Sequence, residues 1–310
     1  MLKKVVFMGT PLFAVPILKS LYQNGYSVVV VYTQPPQKSQ RGQKINKSPI
    51  QGISETLSIE YRTPTCLKNN KEEYEYLKNL EPDIVIVVAY GQIIPKEFLS
   101  LSKRGFINIH ASLLPKWRGA APIQRSILNL EKETGISIMK IEEKLDAGPV
   151  CKSYKIEIKN YDNAEKISEK LSLLAAKKIL DNIDSILEDK IEFKEQDHNK
   201  ATYAPKIKKS EGQINWAENA ENIIAKVNGL YSSPGAFFIY KGERYKILKT
   251  ELGTGIGEIG DVLDDYLEIS CGNKKSIKVL EIQRQGKRPQ NISEFMLGSK
   301  IKKGSNLNNV

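Results

Sequence analysis

The segment IVIVVAY (residues 84–90) decides the fold class, because its seven consecutive apolar residues are mostly Val and Ile with no polar alternation. A membrane span would need about 18 such residues. A half-exposed strand would alternate apolar with polar, so this run reads as a strand buried on both faces, as in a parallel sheet covered by helices. Residues 5–8, 28–32 and 106–109 repeat the pattern, and helical segments separate them. Residues 13–24 carry Val15, Leu18, Leu21 and Tyr22 at three-to-four spacing and stop at Asn24-Gly25, a helix-ending signal. Ser48-Pro49 supplies an N-cap and a first-turn proline for a second helix, and residues 71–80 form a third. This alternation predicts an α/β domain with a doubly wound, mostly parallel, Rossmann-like sheet and right-handed crossovers.

Residues 135–139 and 150–158 read as further strands and residues 163–187 as a long amphipathic helix. The polar segment 197–210, punctuated by Pro205, then changes the pattern. We therefore expect a first domain over 1–204 and a second over 205–310. After one helix at 217–230 the second domain becomes strand-like with Gly and Asp turns. It is expected to be a small β-barrel, OB-like, a kind that often binds nucleic acid.

The 310 residues are 40% hydrophobic and 27% charged, with a net charge of +11. These proportions fit a globular chain and exclude disordered or collagenous ones. The opening MLKKVVFMGT has too short an apolar run for a signal peptide and lacks a transit composition. A cytoplasmic protein is expected. Cys66, Cys151 and Cys271 lie far apart without a C-x-x-C pair, so they are expected to be reduced, buried thiols, neither a disulfide framework nor a zinc site.

The positive charge is uneven. The first 54 residues hold Lys3, Lys4, Lys19, Lys38, Arg41, Lys44 and Lys47 and no acid. Lys38, Arg41, Lys44 and Lys47 fall in QPPQKSQRGQKINKSPI (residues 34–50), which reads as a long basic loop. Such loops in compact domains are usually functional or disordered. With eight arginines against 39 lysines in the chain, Arg41-Gly42 stands out, and an Arg fork suits phosphates and base edges. From residue 206 onward there are 17 basic and 12 acidic residues, so the second domain can share an electrostatic footprint with the loop.

Candidate chemistry is sparse. Gly9-Thr10-Pro11 follows the first strand, but G-x-G-x-x-G is absent and Pro11 lacks an N–H, which disfavours a dinucleotide site. Of the two histidines, His198 lies in the polar DHNK segment, where a solvated role is expected. His110 ends the strand 106–109, and Asn108, two residues earlier, shares its face. Strand C-termini are where open α/β sheets bind ligands. Ser112-Leu113-Leu114-Pro115 and the R-G-A-A-P run from Arg118 follow. Asp146, in K-L-D-A-G, reads as either a turn cap or a functional carboxylate.

MGTPLFA (8–14), VVAYGQIIP (87–95), INIHASLLPKWRGAAPIQRSI (107–127), TGISIM (134–139), LDAGPV (145–150) and FMLGSKIKKGSNL (295–307) occur in this order. Together they closely resemble the methionyl-tRNA formyltransferases along nearly the whole chain. The resemblance implies that Asn108, His110 and Asp146 form the catalytic trio. It implies that Ser112, Leu113, Leu114 and Pro115 form the folate-contacting turn, and that Arg41, with neighbouring Lys38, Lys44 and Lys47, meets the tRNA acceptor stem. The expected reaction passes the formyl group of 10-formyltetrahydrofolate to the α-amino group of initiator methionyl-tRNA. A monomer without a metal or a membrane association is expected. The rivals are a folate-dependent formyltransferase acting on an amino sugar or purine precursor, and a silent RNA-binding protein on the same scaffold.

Overall fold

The computed structural model describes residues 3–38 and 45–308, with the side chains of Lys38 and Ile45 outside the description. Arg41 and Lys44 lie outside the described residues. The chain divides into two compact units: Met1–Gly119, Thr134–Ile156 and Ser168–Tyr203 form the first, and Ala120–Glu133, Glu157–Ile167 and Ala204–Val310 the second.

In the first unit, β1 (Lys4–Gly9) runs through a 3-10 turn into α1 (Val15–Gln23), followed by β2 (Ser27–Tyr32). The buried face of α1 is Ile17, Leu18 and Leu21, whereas Tyr22 is 43% exposed, so the core stripe lies one position round from the expected Val15/Tyr22 edge. The helix ends as its sequence predicts: Gly25 takes φ +79°, a conformation that favours glycine, and the Tyr26 N–H returns to the Leu21 carbonyl.

The short strands β3 (Gln37–Lys38) and β4 (Ile45–Asn46) pair antiparallel, so the basic segment, expected to lack strand structure, carries a short two-stranded ribbon. In α2 (Pro49–Thr56) the Ser48 hydroxyl accepts from the Gln51 N–H at 2.9 Å, the cap its sequence predicts. β5 (Tyr61–Arg62), α3 (Lys71–Leu80), β6 (Ile84–Val88), α4 (Lys96–Leu99) and β7 (Phe106–His110) follow. After α5 (Pro122–Leu128), which belongs to the second unit, come β8 (Glu133–Lys140), β9 (Val150–Glu157) and α6 (Ala164–Leu187).

The sheet order is β5-β2-β1-β6-β7-β8-β9. Its first five strands pair parallel, while β8 runs antiparallel to β7. Every residue of β6 is buried, and each Val or Ile so placed contributes roughly 1.5–3 kcal/mol. From β1 the chain winds to β2 on one side and later returns to β6 on the other, so strand order reverses between β1 and β6. That reversal opens a crevice beyond the strands' C-termini. Gly9 lets the chain leave β1 tightly, since a Cβ there would lie 2.8 Å from the Phe7 ring. The Thr10 hydroxyl then donates to the Tyr90 carbonyl at 2.7 Å, tying the loops after β1 and β6 together.

The second unit contains α5, α7 (Ala220–Gly229), β10 (Ala236–Tyr240), β11 (Glu243–Leu252), β12 (Glu268–Ser270), β13 (Ser276–Arg284), β14 (Gln290–Asn291) and α8 (Ile292–Leu297). Its antiparallel sheet has the order β10-β11-β13-β12, with β14 on β13. Register shifts at Ile247/Lys249 and Lys249/Thr250 increase twist, and the sheet curls into a half-barrel. Trp216, Phe238, Tyr245 and Phe295 pack in sequence beneath it with ring centroids 5.4–5.8 Å apart. The fold class expected from the sequence is the one observed.

Candidate active site

Register places the key residues. β7 sits between β6 and β8, with Val87 opposite Asn108 on one side, and Met139 and Ser137 opposite Asn108 and His110 on the other. Asn108 and His110 therefore lie two residues apart on one face at the C-terminal end of β7, beside the crevice. The Asn108 side chain has no hydrogen-bond partner among the described residues, which leaves its amide N–H groups for a ligand.

His110 is 6% exposed. Its Nε2 lies 3.0 Å from the Trp117 carbonyl, which can only accept, so Nε2 carries a hydrogen. The other ring nitrogen, Nδ1, faces Asp146 Oδ2 at 3.7 Å. The same carboxylate oxygen accepts from the Gly119 N–H at 2.8 Å. Imidazole and carboxylate thus converge although 35 residues separate them in the chain. Their side chains are 7% and 15% exposed, and the low local dielectric strengthens their interaction.

The turn after β7 is held from beneath. The Ser112 hydroxyl donates to the Lys116 carbonyl at 2.6 Å, and the Ser137 hydroxyl donates to the Ser112 carbonyl at 2.8 Å and accepts from the Leu114 N–H at 3.0 Å. Ser112 is fully buried, whereas Leu113, Leu114 and Pro115 are half-buried. The Ser112 hydroxyl therefore fixes the turn, and the three residues after it supply its accessible surface.

Three supports escaped sequence reading. The Trp117 carbonyl and Gly119 N–H are main-chain groups with no signature of their own. Gln196 lies in the polar stretch after α6 but is only 8% exposed, and its amide donates to the carbonyls of Asp146 and Gly148 at 2.9 and 2.7 Å. Arg118, 4% exposed, donates to Gln196 Oε1 from Nε at 3.1 Å and from Nη2 at 2.7 Å. His198 is exposed, in keeping with the solvated role expected of it, and its Nδ1 also accepts from Arg118 Nη2 at 3.0 Å. The expectation of three buried thiols is corrected. Cys271 is buried and Cys151 half-buried, with burial pushing their thiols up to about 12 and about 11, but Cys66 is exposed because it lies on a surface turn.

Among the expected basic residues, Lys47 is exposed and paired with Glu55 at 2.8 Å. In the second unit, Arg284, Lys287, Arg288 and Lys300 line a cavity of about 310 Å³. Arg244, Lys246 and Arg284 line another of about 260 Å³. Arg244 stacks 3.6 Å over the Phe237 ring, and burial together with the Arg244 charge holds the Lys246 ammonium below its ordinary value. Among the described residues no cluster of three or more His, Cys, Asp or Glu side chains is arranged to hold a metal, and no helix is long and apolar enough to cross a membrane.

This fold and site define a formyltransferase: residues 3–183 match the family described as formyl transferase, and residues 206–300 match the formyl transferase C-terminal domain. Solved structures agree at the level of fold. An N-formyltransferase from Helicobacter canadensis, determined with folinic acid and dTDP-3-aminofucose, is 20% identical with TM-score 0.68, covering 90% of this chain and 99% of its own. HypX from Aquifex aeolicus, determined with tetrahydrofolic acid, is 15% identical with TM-score 0.63, covering 98% of this chain and 49% of its own.

Closer relatives narrow the class. The methionyl-tRNA formyltransferase of Pelagibacter ubique is 72% identical over 310 residues, all of both chains, and that of Caldanaerobacter subterraneus is 40% identical over 306 residues, 97% of this chain and 99% of its own. The chain belongs to the methionyl-tRNA formyltransferase family.

Proposed function

We propose that the protein transfers the formyl group of 10-formyltetrahydrofolate to the α-amino group of initiator methionyl-tRNA. The observation that carries this reading is the His110–Asp146 pair beside an unengaged Asn108 amide, in a chain 72% identical to a methionyl-tRNA formyltransferase over its full length.

A neutral amine needs no protein nucleophile. What the site must supply is stabilisation of charge on the formyl oxygen and a route for protons. The Asn108 amide donates to that oxygen as negative charge builds on it, a preorganised donor in a partly shielded site. Asp146, which holds His110, accepts the proton lost by the attacking amine and passes it to Nδ1, which delivers it to N10 as the bond from the formyl carbon to N10 breaks. Leu113, Leu114 and Pro115 form the wall against which the folate lies, kept in place by Ser112 and Ser137. The free Asn108 donors and the half-buried turn fit such a ligand.

For the tRNA, Arg41, Lys38, Lys44 and Lys47 act at the acceptor stem. The second unit's basic cavities, lined by Arg244, Lys246, Arg284, Lys287, Arg288 and Lys300, hold backbone phosphate, because clustered cations attract the anionic backbone. We read residues 1–204 as the catalytic domain and 205–310 as the tRNA-binding domain, with segments 120–133 and 157–167 supporting the latter. Action as a cytoplasmic monomer completes the proposal. Incubation with 10-formyltetrahydrofolate and either initiator methionyl-tRNA, elongator methionyl-tRNA or a nucleotide-linked amino sugar tests it. Formylation of initiator methionyl-tRNA is expected, and preferential formylation of the amino sugar would overturn it.

A further inference from the structure

Asp146 adopts φ +46°, a left-handed conformation that residues with side chains seldom take. Asp tolerates it better than most such residues, and contacts of the loop backbone fix it further. The loop turns back sharply, since a Cβ on Gly148 would lie 2.2 Å from the Lys140 carbonyl oxygen. The carbonyls that the loop turns inward, those of Asp146 and Gly148, both accept from the single Gln196 Nε2. The Gln196 amide can bridge them only if its nitrogen faces the loop. Arg118 enforces that choice, because Nε and Nη2 both donate to Gln196 Oε1 and an inverted amide would set N–H against N–H. All four hydrogen-bonding positions of this buried amide are thereby filled.

The anchor of Arg118 is the peptide that also holds the reacting pair. Trp117 accepts from His110 through its carbonyl and Gly119 donates to Asp146 through its N–H. Residues 117–119 are fastened in turn by Thr202, whose hydroxyl accepts from the Trp117 N–H and whose carbonyl accepts from the Arg118 N–H, each at 2.9 Å. The segment following α6 thus closes a ring of contacts: Thr202 to Trp117–Gly119, Arg118 to Gln196, and Gln196 to the loop of Asp146.

We infer that Gln196, oriented by Arg118, is a positioning residue that sets the Asp146 carboxylate against His110 Nδ1 by donating two hydrogen bonds to the loop backbone. It acts through Asp146 and touches no reacting atom. This rests on the reading of Asp146 and His110 as the proton-handling pair, and the test separates the two.

The decisive variant is Gln196→Glu. It keeps the size of the side chain and strengthens the contact with Arg118, but as a carboxylate it has no N–H for the Asp146 and Gly148 carbonyls. A role confined to holding Arg118 would survive it. Positioning through donation would not, and kcat should fall by about 10²-fold, the scale of a misplacement near 1 Å. KM for folate and for methionyl-tRNA should stay within about twofold, and the pH profile of kcat should shift on its ascending limb. Gln196→Ala should behave alike.

In an Asp146→Asn background, Gln196→Glu should cost little more, because both changes act on one group. Thermal unfolding of each variant checks that the measured protein is folded. Wild-type kcat in folded Gln196→Glu, or a full additional loss in the double variant, would overturn the positioning role. Wild-type kcat in Asp146→Asn itself would overturn the underlying reading instead.

Discussion

Replacing Asp146 by Asn preserves the shape of the side chain and the bond it accepts from the Gly119 N–H, yet removes the charge that faces His110. The Nδ1···Oδ2 distance is 3.7 Å and the side chains are only 7% and 15% exposed. At an effective dielectric near 20, unit charges at about that separation attract by about 4 kcal/mol. If the whole attraction is realised when the imidazole carries its second proton, its loss slows turnover about 10³-fold, at about 1.4 kcal/mol per tenfold. Initial rates of formyl-methionyl-tRNA formation at saturating folate and tRNA measure kcat directly. Thermal unfolding monitors the fold, which should change little because the variant keeps its hydrogen bond. A folded Asp146→Asn protein retaining kcat within about threefold of the parent would show that this charge does no catalytic work.

Asn108→Ala should lower kcat by about 10²- to 10³-fold with an unchanged melting temperature, as expected for removal of one oxyanion donor. Arg244→Ala and Lys246→Ala should each weaken tRNA binding and reduce the slope of log affinity against log salt by about one, without altering folate KM; binding titrations across ionic strengths check this. Stability should also show an acid-side signature in the second unit. Arg125 donates to both oxygens of Glu211, at 2.6 and 3.1 Å, and this contact holds the Glu211 carboxyl below its ordinary 4.5. A depressed carboxyl contributes its stability above its unfolded value, and that contribution is lost as pH falls from there through the lower folded value. Glu211→Gln should accordingly reduce the melting temperature at pH 7 and narrow its gap to the parent below pH 4, as followed by thermal unfolding across a pH series.

What the sequence disclosed depended on where the physical signal resides. The strands β1, β2, β6 and β7 were legible because burial on both faces demands unbroken Val and Ile, as in residues 84–88. Asn108 and His110 were legible as a pair because strand geometry puts alternate residues on one face. The convergence of Asp146 with His110 was not available from spacing and entered only through the family resemblance. Gln196 remained hidden for a different reason: its partners are backbone carbonyls 50 and 48 residues away, and every residue carries such a group. The second unit's use of segments 120–133 and 157–167 was similarly invisible. Helix α5 packs there through close approach of Gly229 to Leu128, where a Cβ would come within 3.1 Å, and neither partner's local sequence reveals the other. Tyr22 continues the apolar spacing of Leu18, yet the buried stripe of α1 is Ile17, Leu18 and Leu21 and Tyr22 stays 43% exposed.

In the proposed reaction an unengaged amide and an imidazole–carboxylate pair transfer a formyl group to an aminoacyl ester on tRNA. Mass analysis of methionyl-tRNA after single-turnover incubation with the purified protein and 10-formyltetrahydrofolate tests it most directly. One formyl group on the methionyl α-nitrogen is expected, with formation slowed at least about 10²-fold by His110→Ala. Unmodified methionyl-tRNA with the native protein, or undiminished formylation by folded His110→Ala, would contradict it.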